Sequence, residues 1–469
     1  FNPTRDGGHS LATWGYKLGY PKIEFEDYYN YSEEMLTYCV RDVELNTKVF
    51  EELRKESKGF TPESISLEQD VAGIVKQQET DGFNFDMPLA LGLLAELRQK
   101  KQVIEDEVHE TFKPKWVDTK QVTPFIKKDG NLSKRGVTDE EYQRCLDTDN
   151  YNPFMRQTLH EFNLGSRKQI GEYLIDFGWK PDRFTPTGQP IVDEKTLSKI
   201  THIHEAKLIA DFLLLQKRIA QIDSWVEAVK DDGRVHGFVI PNGTITGRMA
   251  HRNPNVAQVP SHGSPYGKEC RSCWIVEDGY KLVGVDASGL ELRMLAHYMD
   301  DKEYINEIIN GDIHTANQNF AGLKSRDQAK TFIYALVYGA GDEKIGSIIK
   351  GSRAEGKRLR ERFLNSLPAY RTLKERVDRA ASKTYLKGID GRKLYIRNKH
   401  AALNTLLQGA GAILMKKALV MLDDLLKLNT IDYRFVANIH DEWQIEVKES
   451  QTDFVGEMAV KCIIEAGEH

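Results

Sequence analysis

Residues 281–293 read Lys-Leu-Val-Gly-Val-Asp-Ala-Ser-Gly-Leu-Glu-Leu-Arg, and this stretch decides the fold. The apolar run before Asp286 predicts a buried strand. The Ser288-Gly289 pair after it predicts a turn into a helix. An aspartate at such a junction is held by the sheet and can project into a cleft. Taken alone, the stretch also allows a simpler interpretation, in which Asp286 only caps the helix.

A second aspartate lies in a similar context near the end of the chain. Residues 435–445 read Phe-Val-Ala-Asn-Ile-His-Asp-Glu-Trp-Gln-Ile, which predicts a hairpin with Asp441 in its turn. Such a turn usually favours glycine or asparagine. The neighbouring Asp441 and Glu442 repel each other unless a cation lies nearby. The alternative is an exposed acidic turn without a function.

A helical segment between the two aspartates carries cations and tyrosines at a spacing of four residues. Arg326, Lys330, Tyr334 and Tyr338 fall on one face of a helix at this spacing. The two cations could hold phosphates, and the tyrosines could stack on a sugar or a base. Two carboxylates with a cationic helix face suit two-metal phosphoryl transfer on a triphosphate. The alternative is an amphipathic helix with surface cations.

The composition indicates a globular protein of two to four domains. The chain has 469 residues, of which 40% are hydrophobic and 29% charged, and its net charge is -5. No apolar run approaches the ~18 residues of a membrane span, and no signal peptide is visible. The chain starts without methionine, so we expect a trimmed protein or a fragment. Five scattered cysteines favour a reducing intracellular setting.

Basic residues concentrate between residues 350 and 400 of this otherwise acidic chain. A local basic face can follow nucleic-acid phosphates. A solvated helix surface explains the same charges equally well.

The three motifs, in this order, resemble those of the family A DNA polymerases, the DNA polymerase I group. The resemblance is closest to the replicative polymerases of short-tailed phages. Supporting blocks are Thr246-Gly247-Arg248, residues 253–260, residues 404–408 and residues 162–169. The resemblance implies an α+β right-hand polymerase with palm, fingers and thumb. It also implies template-directed addition of deoxynucleotides to a primer 3′-hydroxyl in DNA replication.

The resemblance implies metal and phosphate ligands residue by residue. Asp286 and Asp441 would bind two Mg²⁺ ions, with help from the Ala287 carbonyl. Arg326 and Lys330 would hold the phosphates of the incoming dNTP. The two aspartates and Lys330 would be the catalytic residues.

Further residues would contact the nucleotide sugar and the DNA. His314 would lie near the phosphates, and Glu291 would exclude a 2′-hydroxyl. Tyr334 is similar to the family variants that accept dideoxynucleotides. The DNA-binding residues would be Arg248 and Gln408 in the minor groove, Tyr338 near the template base, His440 at the primer end, and Glu442.

The resemblance also implies a domain order. We expect the C-terminal part of an exonuclease-like domain at 1–60 and a thumb at 61–233 with an insertion at about 113–159. The first part of the palm would be 234–299, the fingers 300–402 and the second part of the palm 403–469.

The first domain carries Tyr38 and Asp42, which look like the end of a 3′–5′ exonuclease domain. Other carboxylates of that family's exonuclease lie upstream of this motif. We therefore expect that this chain alone does not proofread. The alternative is that both are ordinary helix residues.

The thumb insertion falls where phage relatives bind thioredoxin as a processivity clamp. A thioredoxin-like factor is therefore a possible partner beside primer-template DNA, and a plain DNA-contacting loop is the alternative. We expect a monomeric polymerase subunit in the cytoplasm of the host cell, which would be bacterial if a phage encodes it.

Two other functions compete with a polymerase. A metal-dependent nuclease would need a third carboxylate cluster and no triphosphate-binding helix. An inactive primer-template-binding fragment would not need Asp286 and Asp441.

Overall fold

The computed structural model describes residues 5–468, without the side chain of Lys195. The outermost residues of the predicted first and last domains, 1–4 and 469, therefore lie outside the described part. The chain forms two compact units. One consists of Met87–Glu227, and the other combines the residues up to Asp86 with those from Ala228 onward.

Helices and strands are numbered in chain order. The helices are α1 (Leu11–Lys17), α2 (Glu33–Glu56), α3 (Pro62–Asp81), α4 (Met87–Thr111), α5 (Asp139–Thr148), α6 (Arg167–Asp176), α7 (Glu194–Leu197), α8 (His204–Val226), α9 (Gly267–Ser272), α10 (Leu290–Met299), α11 (Lys302–Asn310), α12 (Ile313–Ala321), α13 (Arg326–Val337), α14 (Asp342–Ile348), α15 (Arg353–Ser366), α16 (Pro368–Ala380), α17 (Ala402–Leu428) and α18 (Thr452–Glu468). The strands are β1 (Phe83–Asn84), β2 (Lys115–Val122), β3 (Phe154–His160), β4 (Arg234–Val235), β5 (Phe238–Ile240), β6 (Ala250–Arg252), β7 (Tyr280–Asp286), β8 (Tyr385–Lys387), β9 (Lys393–Tyr395), β10 (Tyr433–Ile439) and β11 (Glu442–Lys448).

A three-stranded antiparallel sheet with the order β10-β11-β7 lies in the larger unit. Its apolar residues, such as Phe435 and Ile445, enter the same core as Leu419 of α17 and Val455 of α18. Glu446 of β11 is fully buried, and two arginines neutralise it. The Nη2 atom of Arg234 lies 2.7 Å from one carboxylate oxygen, and Nη1 of Arg434 lies 2.9 Å from the other. Packing and paired charge together fix the central strand.

Helix α17 is the core helix of this unit. With the preceding turn it spans Lys399–Leu428, and by length and composition it could cross a membrane. However, 72% of its most apolar window is buried inside the protein. This burial accounts for the apolar composition, because a helix surrounded by core is hydrophobic on all sides.

The smaller unit has its own apolar core. Phe112 and Phe162 pack edge to face with ring centroids 4.9 Å apart, and Phe212 of α8 joins them in one cluster. The predicted insertion at about 113–159 lies in this unit and forms regular structure, the hairpin β2-β3 and helix α5. Most hairpin residues are exposed on both faces. The strands therefore lack the alternation of apolar and polar residues by which a sequence reveals a strand.

The compact unit is narrower than the predicted thumb at both ends. The thumb prediction starts at residue 61, but α3 groups with the larger unit. The reason is its apolar face: Ile74 belongs to the main core, and Val71 packs with Val239 and Val420. The functional names of the domains remain predictions.

Candidate active site

Antiparallel pairing brings the two predicted catalytic aspartates to the same edge of the sheet. Asp286 is the last residue of β7 and pairs with Glu442, the first residue of β11. The backbone N–H of Ala287 donates to the carbonyl oxygen of Asp441 at 2.9 Å. The sequence separates these residues widely, and the strand register joins them.

The hairpin turn that carries Asp441 has an unusual backbone. His440 adopts a φ of 59°, a left-handed conformation that is uncommon for residues other than glycine. Strain of this kind persists only where the surrounding structure holds it, and it is frequent at functional sites. Burial lowers the pKa of His440, and the neighbouring Arg248 guanidinium lowers it further.

The interpretation of Asp286 as a helix cap is wrong. Helix α10 starts at Leu290, and its N-cap is Gly289 with a φ of 65°. Asp286 still belongs to the strand and pairs with β11. Its carboxylate therefore does not cap the helix, and its backbone is held by the sheet.

The carboxylates at this edge destabilise each other's charge. Burial raises the pKa of Asp286, and Glu442 and Glu291 raise it further. Burial also raises the pKa of Asp441, and the charges of Asp286 and Glu291 add to this effect. A cation between the two aspartates would cancel the repulsion between the carboxylates and offset the cost of burying their charges.

The donor set at this edge fits magnesium. Magnesium prefers oxygen ligands and keeps several waters, so that one or two carboxylates and substrate phosphates complete its octahedron. Asp286 and Asp441 supply two carboxylates from neighbouring segments, the end of β7 and the turn before β11, which the Ala287–Asp441 backbone hydrogen bond joins. Within residues 5–468, three or more His, Cys, Asp or Glu side chains are nowhere arranged as a preformed metal cage.

Helix α13 presents the predicted phosphate-binding face. Arg326 is its first residue, Lys330 is exposed, and Tyr338 is its C-cap. Tyr334 and Tyr338 lie on the same face with ring centroids 6.3 Å apart. The residues on the other faces of α13 are buried in the core, namely Ala329, Phe332, Ile333, Ala335, Leu336 and Val337. The predicted single face is therefore present in the structure.

A glycine ends this helix for a steric reason. Gly339 has a φ of 75°, and a Cβ atom at this position would collide with the carbonyl oxygen of His400. The preceding Tyr338 is 47% exposed, and its hydroxyl interacts with the side chain of Gln408.

His314 joins the α13 face from the second residue of α12. Its ring centroid lies 6.3 Å from that of Tyr334. Burial lowers its pKa, and Arg326 is the next cause. The structure thus brings His314 close to the face formed by Arg326, Lys330 and Tyr334.

Glu291 lies close to Arg248, to the sheet edge and to the tyrosines of α13. It accepts a hydrogen bond from Nη2 of Arg248 at 2.7 Å, and both side chains are largely buried. After burial, its charge is the largest contribution that raises the pKa values of Tyr334 and Tyr338. The Glu291 charge therefore acts on the carboxylate edge and on both tyrosines of α13.

Sequence reasoning missed Asp312. Its carboxylate accepts from Nε of Arg326 at 2.6 Å and from Nη2 at 3.2 Å. Arg326 is the main cause of a strongly lowered pKa at Asp312, and Thr315 is the next. An aspartate directly before an apolar-periodic segment is a sequence signal for an N-cap. Such a signal places Asp312 at the start of α12 and gives no hint of Arg326.

Tyr38 and Asp42 lie together on α2, and a lysine bridges them. The Nζ atom of Lys22 lies 2.9 Å from Oδ2 of Asp42 and donates to the Tyr38 hydroxyl at 3.0 Å. Phe25 stacks on Tyr38 with centroids 5.3 Å apart. In this arrangement the Asp42 charge is neutralised by Lys22, and an exonuclease role for the pair stays a prediction.

Comparison with known proteins gives consistent matches. The model of the family described as DNA polymerase family A matches residues 139–468. The DNA-directed DNA polymerase of Enterobacteria phage T3 is 35% identical over 99% of this chain and 80% of its own length. That of Escherichia phage T7 is 34% identical over the same shares. A solved structure, the POL domain of Pol1 from M. smegmatis in complex with DNA primer-template and dNTP, has a TM-score of 0.78 at 20% identity and covers 99% of this chain and 77% of its own.

Proposed function

Because the chain belongs to DNA polymerase family A and is a DNA-directed DNA polymerase that synthesises DNA on a template, we propose that Asp286 and Asp441 form its catalytic centre. One observation carries this proposal. The register of β7 and β11 brings two charge-destabilised carboxylates to one edge of the sheet, with helix α13 supplying cations to the same unit.

Two Mg²⁺ ions would be held by the carboxylates of Asp286 and Asp441 and by the Ala287 carbonyl. Bound magnesium supplies a lowered pKa for the primer 3′-hydroxyl and charge neutralisation for the leaving pyrophosphate. The sheet contributes the fixed separation of the two carboxylates. This matters because phosphoryl transfer depends mostly on positioning and electrostatics.

The α13 face would bind the incoming dNTP. Arg326 and Lys330, one turn apart, would hold its phosphates, with His314 beside them. Lys330 would also act in catalysis, since its charge can stabilise the negative charge that develops on the phosphates. Tyr334 would lie against the sugar, where Glu291 would exclude a 2′-hydroxyl.

Primer and template would lie along residues near the carboxylate edge. Arg248 and Gln408 would reach the minor groove of the newest base pair, where all correct pairs share acceptors. Tyr338 would stack near the template base, and His440 and Glu442 would contact the primer end. The ion pair between Arg248 and Glu291 supports this part of the proposal, since it joins the residue proposed to contact the minor groove to the residue proposed to exclude a 2′-hydroxyl.

A processivity factor would bind the smaller unit. The hairpin β2-β3 pairs Trp116 with Leu159, and these side chains are 65% and 48% exposed. An exposed aromatic-aliphatic pair is a typical interface feature. Product length per binding event should therefore rise when thioredoxin is added to the protein. An unchanged length would leave the hairpin as a plain DNA-contacting element.

The same chain would not proofread. The Lys22 ammonium group binds both the Asp42 carboxylate and the Tyr38 hydroxyl, the two groups that an exonuclease site would use. Degradation of a mismatched primer, lost in Asp42→Ala, would contradict this. The setting would be a phage replisome in the cytoplasm of a bacterial host, with the polymerase subunit as a monomer.

Primer extension with magnesium and dNTPs tests the catalytic centre. Asp441→Ala should abolish extension and leave binding of the primer-template intact. Asp424→Ala, which removes an exposed carboxylate from α17, is the matched control and should extend normally. Binding without extension by the unmodified protein would favour the alternative of an inactive primer-template-binding fragment.

A further inference from the structure

The carboxylate of Asp312 is fully engaged by two neighbouring helices. Oδ2 accepts from Nε of Arg326 at 2.6 Å and from Oγ1 of Thr315 at 2.8 Å. Oδ1 accepts from Nη2 of Arg326 at 3.2 Å and from the backbone N–H of His314 at 3.0 Å. One side chain therefore ties the start of α13 to the start of α12.

This geometry holds one edge of the Arg326 guanidinium and leaves another available. Nε and Nη2 bind Asp312, and Nη1 makes no hydrogen bond within residues 5–468. The Arg326 side chain is 52% exposed, and an arginine with that exposure would otherwise sample many rotamers. Ordering such a side chain at the moment of binding lowers affinity. A two-point contact with a carboxylate removes much of that cost beforehand.

The position of His314 depends on the same carboxylate. Asp312 is the N-cap of α12 and accepts from the backbone of His314. The His314 ring faces Tyr334 at 6.3 Å. Asp312 therefore holds both groups that are proposed to lie at the phosphates, the Arg326 guanidinium through its carboxylate and the His314 backbone through the N-cap.

We propose that Asp312 is a positioning residue for the polyphosphate of the incoming nucleotide, acting through Arg326. This inference rests on the proposed nucleotide site. Asp312 holds the guanidinium so that its Nη1 atom stays available, and it holds the His314 backbone beside it. The carboxylate also repels a polyphosphate. Water screens that repulsion at a side chain that is 41% exposed, whereas the gain from ordering Arg326 is not screened.

Asp312→Asn separates positioning from helix capping. Asparagine caps a helix as well as aspartate does, but it is uncharged and has one acceptor oxygen, so it cannot reproduce the contact in which each carboxylate oxygen accepts from a different guanidinium nitrogen. We expect the KM for dNTP to rise about two- to fivefold, the range of a half-exposed ion pair, with kcat changed less than twofold. Asp301→Asn is the matched control, because Asp301 caps α11 through the Tyr304 N–H at 2.9 Å and has no contact with Arg326.

A double-mutant cycle with Arg326→Ala decides how Asp312 acts. If it acts through Arg326, Asp312→Asn will change KM in the unmodified protein and not in the Arg326→Ala background. An unchanged or lower KM in Asp312→Asn would overturn the inference. An equal rise in both backgrounds would also overturn it, since Asp312 would then act only through α12.

The same cycle distinguishes this inference from the proposed function. A normal KM in Arg326→Ala alone would reject Arg326 as a phosphate ligand, and the proposed site would fail with it. A raised KM in Arg326→Ala and a normal KM in Asp312→Asn would leave the site and reject Asp312. Thermal unfolding of each variant shows whether the fold is retained.

Discussion

The carboxylate edge of the sheet and the cationic face of α13 differ in how their charges are compensated. At the edge, Asp286 ends β7 and Asp441 lies in the neighbouring β10-β11 turn, joined by the backbone hydrogen bond from Ala287 to Asp441. Burial and nearby carboxylates raise the pKa values of both aspartates. On α13, Arg326 is half-exposed and already paired with Asp312. The first region has like charges held by the sheet, and the second has an exposed cation that already has a carboxylate partner.

In the proposed site, one substrate would complete both regions at once. A dNTP bound with magnesium would bring cations to the carboxylates and phosphates to Arg326 and Lys330. The backbone hydrogen bonds and packing of the sheet offset the repulsion between the carboxylates, so that the like charges stay close together. A helix surface cannot hold long side chains in the same way, so a partner such as Asp312 is needed.

The largest expected effect is at the rigid edge. Asp286→Asn should lower kcat for nucleotide incorporation at least about 10³-fold, since a missing metal ligand removes several kcal/mol of charge stabilisation. Single-turnover incorporation on a labelled primer measures it. The KM for dNTP should change far less than kcat, because α13 is intact.

A variant with near-normal kcat would break the comparison, since the edge would then not need its charge. Asp278→Asn, on the turn before β7 and exposed, is a control for loss of an aspartate on the same segment.

A smaller effect is expected on the cationic face of α13. Lys330→Ala should lower kcat/KM for dNTP about 10- to 100-fold, because charge-assisted hydrogen bonds contribute about 1.5–3 kcal/mol each. Steady-state incorporation of one nucleotide measures it. Lys461→Ala removes an exposed helical lysine that pairs with Glu465 and should incorporate normally. Equal kinetics for the two variants would show that α13 does not bind the triphosphate.

Tyr334→Phe should sharpen the role of the same face in sugar selection. We expect discrimination against dideoxynucleotides to rise up to about tenfold, the size of one hydrogen bond, with little change for dNTP. Competition between ddNTP and dNTP on one template position measures the ratio. Tyr395→Phe, at a tyrosine of the β9 hairpin, is the control. An unchanged ratio would remove Tyr334 from the sugar site.

The smallest expected effect is on stability without metal. Because the pKa of Asp441 is raised, the folded state binds its proton more tightly than the unfolded state does. The resulting penalty is absent below the unfolded pKa, grows as pH rises through the two pKa values, and is complete above the folded one. In chelator at pH 7, Asp441→Asn should therefore raise the unfolding temperature slightly, and at about pH 3 the difference should vanish.

Thermal unfolding at both pH values measures this difference. Added magnesium should raise the unfolding temperature of the unmodified protein and not that of the variant. A variant that is less stable than the unmodified protein at pH 7 would show that the edge is not destabilised by its charge.

Much of the site could be predicted from local patterns. The strand before Asp286, the turn at Asp441 and the single face of α13 each follow from periodicity or turn chemistry over a few residues. The structure contains all three. The family and the polymerase activity followed from the order of these motifs, and the comparisons confirm both.

The hairpin of the smaller unit and the place of α3 could not be predicted in the same way. The strands β2 and β3 are solvated on both faces, so that no alternation marks them. Helix α3 looks like the start of the next domain, but its apolar face finds Val239 and Val420. Which unit a helix joins depends on what covers its apolar face.

The sequence by itself determined the motifs, their order and the type of each element that carries them, because these depend on neighbours within a few residues. Only the tertiary structure decided that Asp286 faces Glu442, that Arg248 pairs with Glu291 and that Asp312 holds Arg326. These contacts join residues far apart in the chain. Which strands pair and which helices pack together sets these contacts, and a pattern within a few residues does not specify which distant segment it will meet.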